Sequence, residues 1–145
     1  MKMKQLSVFL ENKAGRLSGP CHVLAKAGIN ILTLSLADTQ EFGILRLIVS
    51  DWQAAKKAVE AAGRVVHVAE VVAVEAADQP GGLAHVLEVI EAARLNVEYM
   101  YAFTFRRGDR AMLVFRFEDS DAALRELLKA KVAVVPSVEL YGAGD

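Results

Sequence analysis

Asp78-Gln79-Pro80-Gly81-Gly82-Leu83 lies between a strand-like run and a helix-like run, and an earlier copy, Asn12-Lys13-Ala14-Gly15-Arg16-Leu17, lies in the same setting. Gly81 and Gly15 accept backbone angles closed to residues with a side chain, so the chain can turn tightly from strand to helix. Asp78 and Asn12 are residue types that bond back to nearby amides in such turns. The N–H groups at the start of the following helix form a place where an anion such as a carboxylate can rest. One short glycine turn is a weak signal, and its recurrence in the same setting is a stronger one.

Working outward from the first turn, Leu6, Val8 and Leu10 alternate along Gln5–Leu10 and predict a half-buried strand. After the turn, Leu17, Cys21, Leu24 and Gly28 fall at helical spacing. Pro20 is comfortable only in a first turn, so the helix starts near Ser18 or has an irregular first turn. Gly28 with Asn30 ends it. Leu32, Leu34 and Leu36 alternate in a strand over Ile29–Asp38, Thr39–Phe42 turns, and Gly43–Ser50 returns with Leu45, Leu47 and Val49 on one face. Asp51 caps a helix with Trp52, Ala55, Val59 and Ala62 on one side, and Gly63 stops it. Two short strands follow, Val65–Val68 and Val71–Glu75.

From the second turn the order repeats. A helix over Gly82–Arg94 places Leu83, Val86, Leu87 and Ile90 inward. Strands at Val97–Phe105 and Ala111–Phe117 flank the charged turn Arg106-Arg107-Gly108-Asp109. Asp119 or Asp121 caps a helix carrying Leu124, Leu127 and Leu128. The last strand, Val132–Leu140, is interrupted near Pro136, as at an edge or bulge, and Gly142–Asp145 is a loose end. Gly15 overlays Gly81, Leu17 overlays Leu83, Leu24 overlays Ile90 and Asn30 overlays Asn96, at a constant offset of sixty-six. Past the middle hairpin the offset is sixty-eight, taking Asp51 to Asp119, so the difference in length lies in a hairpin loop that tolerates it. The prediction is α+β: two ferredoxin-like βαββαβ units in tandem, 1–69 and 70–145, each an antiparallel sheet with helices on one face.

The composition fits. In 145 residues, 54% are hydrophobic and 24% charged, which supports a sizeable core and argues against disorder. Seventeen basic residues nearly balance eighteen acidic ones, so no basic surplus points to nucleic acid or an anionic membrane. Cys21 is the only cysteine, which excludes an internal disulfide and any CxxC site. His22, His67 and His85 match no metal spacing. Neither a signal peptide nor a membrane span is read at the start, and the expected setting is soluble and cytoplasmic.

The two glycine turns, each followed by a helix and then Ile29-Asn30-Ile31 or Leu95-Asn96-Val97, resemble the ACT domain. The stretch Leu36-Ala37-Asp38-Thr39-Gln40-Glu41-Phe42-Gly43-Ile44-Leu45-Arg46-Leu47 resembles the small stand-alone proteins made of two ACT domains. The resemblance spans nearly the whole chain. It implies a regulatory module without catalytic activity or cofactor that binds an amino acid or similar small metabolite, often where two ACT units meet. It further implies a homodimer and a regulated protein partner. By motif match, Asn12 or Asp78 accepts from an α-ammonium group, and the amides of Gly15-Arg16 or Gly81-Gly82 hold the α-carboxylate. Ala14, Leu17, Pro80 and Leu83 complete the turns, while Asn30-Ile31 and Asn96-Val97 line the side-chain pocket. Ala14 stands where the second copy has Pro80, and Gly19-Pro20 interrupts the first helix, so the two turns are not expected to be equivalent sites.

Plainer readings stand beside these. The turns serve as tight connections and caps, and Asn30 and Asn96 simply end helices. Tyr99 and Tyr101 share one strand face, which favours packing over ligand contact. Arg46 and Arg116 reach solvent or an interface. Cys21 reads as core on an apolar helix face. Two rival functions remain: a scaffold that only dimerises, and an acylphosphatase-like hydrolase using Arg16 and Asn30, for which no phosphate loop is evident.

Overall fold

Alternation of apolar residues sets the strands, and pairing sets which of their faces is covered. The computed structural model describes residues 2–38, 41–104 and 106–136. Its elements are β1 (Met3–Glu11), α1 (Ser18–Lys26), β2 (Ile31–Asp38), β3 (Phe42–Val49), α2 (Trp52–Ala61), β4 (Val66–Ala77), α3 (Gly82–Ala92), β5 (Val97–Ala102), β6 (Arg110–Phe117) and α4 (Ser120–Lys129). They divide into two compact units, residues 4–69 and residues 70–136 with 2–3.

In the unit of residues 4–69, β3 lies between β1 and β2 and pairs antiparallel with both, Leu6 opposite Leu47 and Leu34 opposite Leu47. The other side of β1 meets the segment entering β4, where the Phe9 N–H donates to the Val65 carbonyl at 3.1 Å. The strand order is therefore 2-3-1-4, that of a ferredoxin-like unit. Leu6, Val8, Leu10, Leu45, Leu47 and Val49 form the core with Leu24 of α1 and Ala55 and Val59 of α2, and Trp52 packs at its margin. The other unit repeats the plan. β6 lies between β4 and β5, with Phe115 opposite Val72 and Met100. The segment after α4 joins the free side of β4: Glu75 N–H donates to the Ala133 carbonyl and Val135 N–H to the Ala73 carbonyl, both at 2.8 Å. Val72, Val74, Leu113, Phe115 and Phe117 make its core with Val86, Ile90, Ala123 and Leu127.

Several sequence expectations need correction. The two short strands expected at Val65–Val68 and Val71–Glu75 are one continuous strand, β4. Ala69 and Glu70 carry extended backbone through what the apolar pattern marks as a gap. Leu34 and Leu36 are exposed although their alternation is right. They share the helix-side face with Leu47 and Leu45, but β2 lies at the outer position of its unit. Leu17 and Leu83 are also exposed: Leu17 lies in the turn before α1, and Leu83 in the first turn of α3, on its outer side. Ala62 and Leu128 are exposed at the ends of their helices, and Cys21 is half-buried rather than core. β5 ends at Ala102, and Phe105 lies outside the described residues. So do Thr39 and Gln40 of the first hairpin, the expected strand beyond Pro136, and the end Gly142–Asp145. Among the described residues no helix is long and apolar enough to cross a membrane.

The four described helices start in two different ways. Asp51 accepts from the Ala54 N–H at 3.1 Å and Asp119 from the Ala122 N–H at 3.0 Å, satisfying amides at the starts of α2 and α4. Among the described residues no side chain caps α1 or α3, the helices that follow the two glycine turns.

Candidate functional site

The second turn begins where β4 ends. Gly81 has a φ of +87°, a left-handed conformation that glycine adopts without strain. Gly82 begins α3 so close to the strand that an added Cβ would lie 1.8 Å from the Ala77 carbonyl oxygen. This close approach frames a cavity of about 320 Å³. Its floor is Glu75, Ala76 and Ala77 of β4, and its rim is Gln79, Pro80, Gly81 and Gly82. His85 and Val86 of α3, Arg110 of β6, and residues 130–133 after α4 close it. The volume lies at the lower end of the range of about 300–1,000 Å³ common for small-molecule pockets.

Glu75, with a side chain 20% exposed, forms ion pairs with two arginines: its Oε1 is 3.3 Å from Arg107 Nη1 and its Oε2 is 3.8 Å from Arg110 Nε. Asp78 lies just outside the cavity, and its carboxylate pairs with Arg106 of the charged turn. The Gly82 N–H donates to the Gln79 carbonyl at 3.0 Å, so that amide is used within the turn. Leu83 is exposed, and Asn96 and Val97 stand at the start of β5, where the Asn96 carbonyl accepts from the Glu118 N–H. The structure thus gathers Pro80, Gly81 and Gly82 around the cavity, and leaves Asp78, Leu83, Asn96 and Val97 off its lining.

The first turn is built differently. Gly15 again has a positive φ, +84°, but α1 begins only at Ser18, whose hydroxyl donates to the Gly15 carbonyl at 3.1 Å. The Arg16 N–H donates to the Lys13 carbonyl, and the Asn12 N–H to the Glu41 carbonyl. A cavity of only about 60 Å³ is lined by Leu10, Glu11, Asn12, Lys13, Leu17, Leu36 and Gly43. Lys13 lies 2.8 Å and Arg16 3.7 Å from Glu11 Oε2. Lys13 foremost, then Arg16 and Arg64, hold the Glu11 carboxyl below its ordinary pKa. The guanidinium of Arg64 fills the space above Gly19, where an added Cβ would meet its Nη2 at 2.7 Å. Ala14 is exposed in the turn, Asn30 precedes β2 and exchanges hydrogen bonds with Ser50, and Ile31 packs against the core.

The remaining candidates are placed by packing and anchoring. Tyr99 and Tyr101 are half-buried opposite Arg116 and Val114. Arg116 donates to the Glu70 carbonyl at 2.8 Å, an anchoring role. Lys2 pairs with Asp121 at 2.8 Å and Glu70 at 3.1 Å, which raises the Lys2 pKa and lowers that of Asp121. Among the described residues no group of His, Cys, Asp or Glu side chains is placed to hold a metal ion. The local reading of the second turn includes Gln79 without naming it as a candidate and does not extend to Glu75, His85, Arg110 or Lys131. Overlaying the copies held a usable signal, since their counterparts Phe9, Lys13, Gly19, Phe42 and Gly63 differ in chemistry at four of the five positions.

A family model described as an ACT domain pair matches residues 1–142. A crystallised protein of Bacteroides thetaiotaomicron is 40% identical, with a TM-score of 0.90 over 97% of this chain and 96% of that one. The regulatory subunit of aspartate kinase from Thermus thermophilus superposes with a TM-score of 0.64 at 18% identity, over 88% of this chain and 91% of that one. The corresponding Thermus flavus subunit gives 0.62 at 18% identity, over 90% and 93%. No curated protein sequence matches the chain. Two ferredoxin-like units, each with a glycine turn between its first strand and first helix, and a family match over almost the whole length lead to one conclusion: the chain belongs to the ACT domain pair family.

Proposed function

We propose that the protein is a regulatory module, soluble and cytoplasmic, that binds an amino acid or similar small metabolite and has no catalytic activity of its own. Its ACT domains are 1–69 and 70–145, and its ligand lodges at the second glycine turn. The cavity of about 320 Å³ against the start of α3 carries this reading. The positive end of α3, uncapped by any described side chain, suits an α-carboxylate, and the negative end of α4, which meets the cavity at Ala130 and Lys131, suits an α-ammonium group. The smaller cavity at the first turn makes it the weaker site. Regulatory subunits of aspartate kinase share the fold, which agrees with an output delivered to a partner protein. Such an output requires that the ligand bind one arrangement of the protein better than another.

Titration calorimetry against a panel of the common amino acids tests the reading. Saturable binding of at least one is expected, with a melting temperature that climbs with ligand concentration, because only the folded state binds. Ala133→Phe, at an exposed position on the cavity wall, should abolish both effects while leaving the unliganded melting temperature near that of the parent. Absence of heat and of thermal shift across the panel would remove free amino acids as ligands.

We also propose a homodimer formed through β2. Residues 31–37 carry no charge and no proline, and Leu34 and Leu36 are exposed. Natural edge strands that avoid pairing usually carry such blocking residues. Two copies of β2 aligned antiparallel about a two-fold axis satisfy each other. Sedimentation should show a dimer, and Leu34→Lys should shift it towards monomer. A parent protein that sediments as a monomer at tens of micromolar would rule this dimer out.

A further inference from the structure

We propose that the pocket at the second turn selects an amino acid whose side chain carries a further carboxylate. The proposal rests on the amino-acid reading of that pocket and adds the class of side chain it takes.

The first argument is charge. Arg110, Lys131 and His85 line the cavity together with one carboxylate, Glu75. Glu75 is already matched by Arg107 and Arg110, at 3.3 and 3.8 Å. Of the neighbouring acids, Asp78 is matched by Arg106, and Asp109 lies in the same charged turn. A formal surplus of one positive charge, Arg110 and Lys131 against Glu75, therefore remains on the lining side chains, while the positive start of α3 is opposed by the negative end of α4. An amino acid brings one negative and one positive group of its own, which leaves that surplus unanswered. A second carboxylate answers it, with Arg110 offering a planar fork of donors and Lys131 a mobile ammonium group.

The second argument is that the fold does not require these side chains. At the counterpart positions the first copy has Phe9 for Glu75, Gly19 for His85, Phe42 for Arg110 and Gly63 for Lys131. The counterparts are structural as well as sequential: Arg110 lies opposite Ala77 in its sheet as Phe42 lies opposite Glu11. The first unit builds the same strand and helix order with none of these four side chains, so the fold does not require them and they are features of the pocket.

The third argument is conformational. Lys131 sits at a φ of +60°, and Gly63 at its counterpart has +86°. A left-handed backbone is strained for a lysine and free of strain for a glycine. Arg94 is in the same condition at the end of α3, with φ +55° against +71° at Gly28, but it is not part of the cavity lining. It supplies an internal control for relief of strain alone.

The test is calorimetric titration of the full chain with aspartate, glutamate, asparagine and glutamine, repeated on Lys131→Gly and Arg94→Gly. An acidic amino acid is expected to bind at least about ten-fold more tightly than its amide. Both glycine variants should melt at or above the parent temperature, since each relieves a left-handed residue. Lys131→Gly should nevertheless weaken binding of the acidic ligand about ten-fold, and Arg94→Gly should leave it unchanged. Equal or tighter binding of the amide overturns the proposal, as does undiminished acidic binding by Lys131→Gly. Binding of a neutral amino acid alone at this pocket overturns it while the amino-acid reading stands. Silence from every amino acid in the wider panel overturns both.

Discussion

Gly82→Ala is expected to lower the stability of the protein by about 3 kcal/mol, far more than its one added methyl group suggests. The new Cβ would lie 1.8 Å from the Ala77 carbonyl oxygen and 2.9 Å from its carbon, and both are backbone atoms that cannot rotate away. Relief requires the start of α3 to retreat from the end of β4, which also opens the cavity they frame. Gly81→Ala is the informative comparison. It meets nothing within 4 Å and suffers only from its φ of +87°, a cost of roughly 1–2 kcal/mol. Urea titration should therefore show a larger fall in midpoint for Gly82→Ala, at an unchanged slope, than for its neighbour. The reverse order would mean that α3 does not start so close to the strand. The first copy shows the alternative solution: Arg16 holds the counterpart position, and α1 begins two residues later in register, at Ser18.

Phe115→Ala should cost about 3–5 kcal/mol, the range for removing a fully buried aromatic ring. Phe115 is wholly buried, stacked on Phe117 at a centroid distance of 5.7 Å, and placed opposite both Val72 and Met100. Val86 belongs to the same core and Val132 packs against it, and both line the candidate pocket. The variant should thus lose ligand-dependent thermal shift along with stability. Retained binding at full affinity would show that the pocket wall is held independently of this core. A loss below about 1 kcal/mol in urea would contradict the close packing described for Phe115.

Much of the fold was legible because the chain states its plan twice. The offsets of sixty-six and sixty-eight read from Gly15/Gly81 and Asp51/Asp119 reappear in the pairing of Glu11 with Phe42 and Ala77 with Arg110. What alternation could not convey is whether a face is covered. Leu34 and Leu36 alternate as well as Leu45 and Leu47 do, yet only the strand flanked on both sides buries them. The continuity of β4 was hidden because Ala69 and Glu70 interrupt the valine run without interrupting the backbone. At the candidate site, Pro80, Gly81 and Gly82 were visible as a local turn. Arg110 and Lys131 were not, because they come from β6 and from beyond α4, and a local motif carries no trace of what folds against it.

The unequal aromatic content of the two units has a practical consequence. Trp52 is the chain's only tryptophan, and it packs against the core of the unit formed by residues 4–69. The described tyrosines, Tyr99 and Tyr101, both belong to the other unit. Indole emission therefore reports the melting of one half of the molecule, and phenol signals report the other. None of the residues lining the cavity at the second turn belongs to the core that Trp52 packs against. If a metabolite lodged there delays the loss of native Trp52 fluorescence, the two halves must share their free energy of unfolding, and one optical trace would measure that coupling.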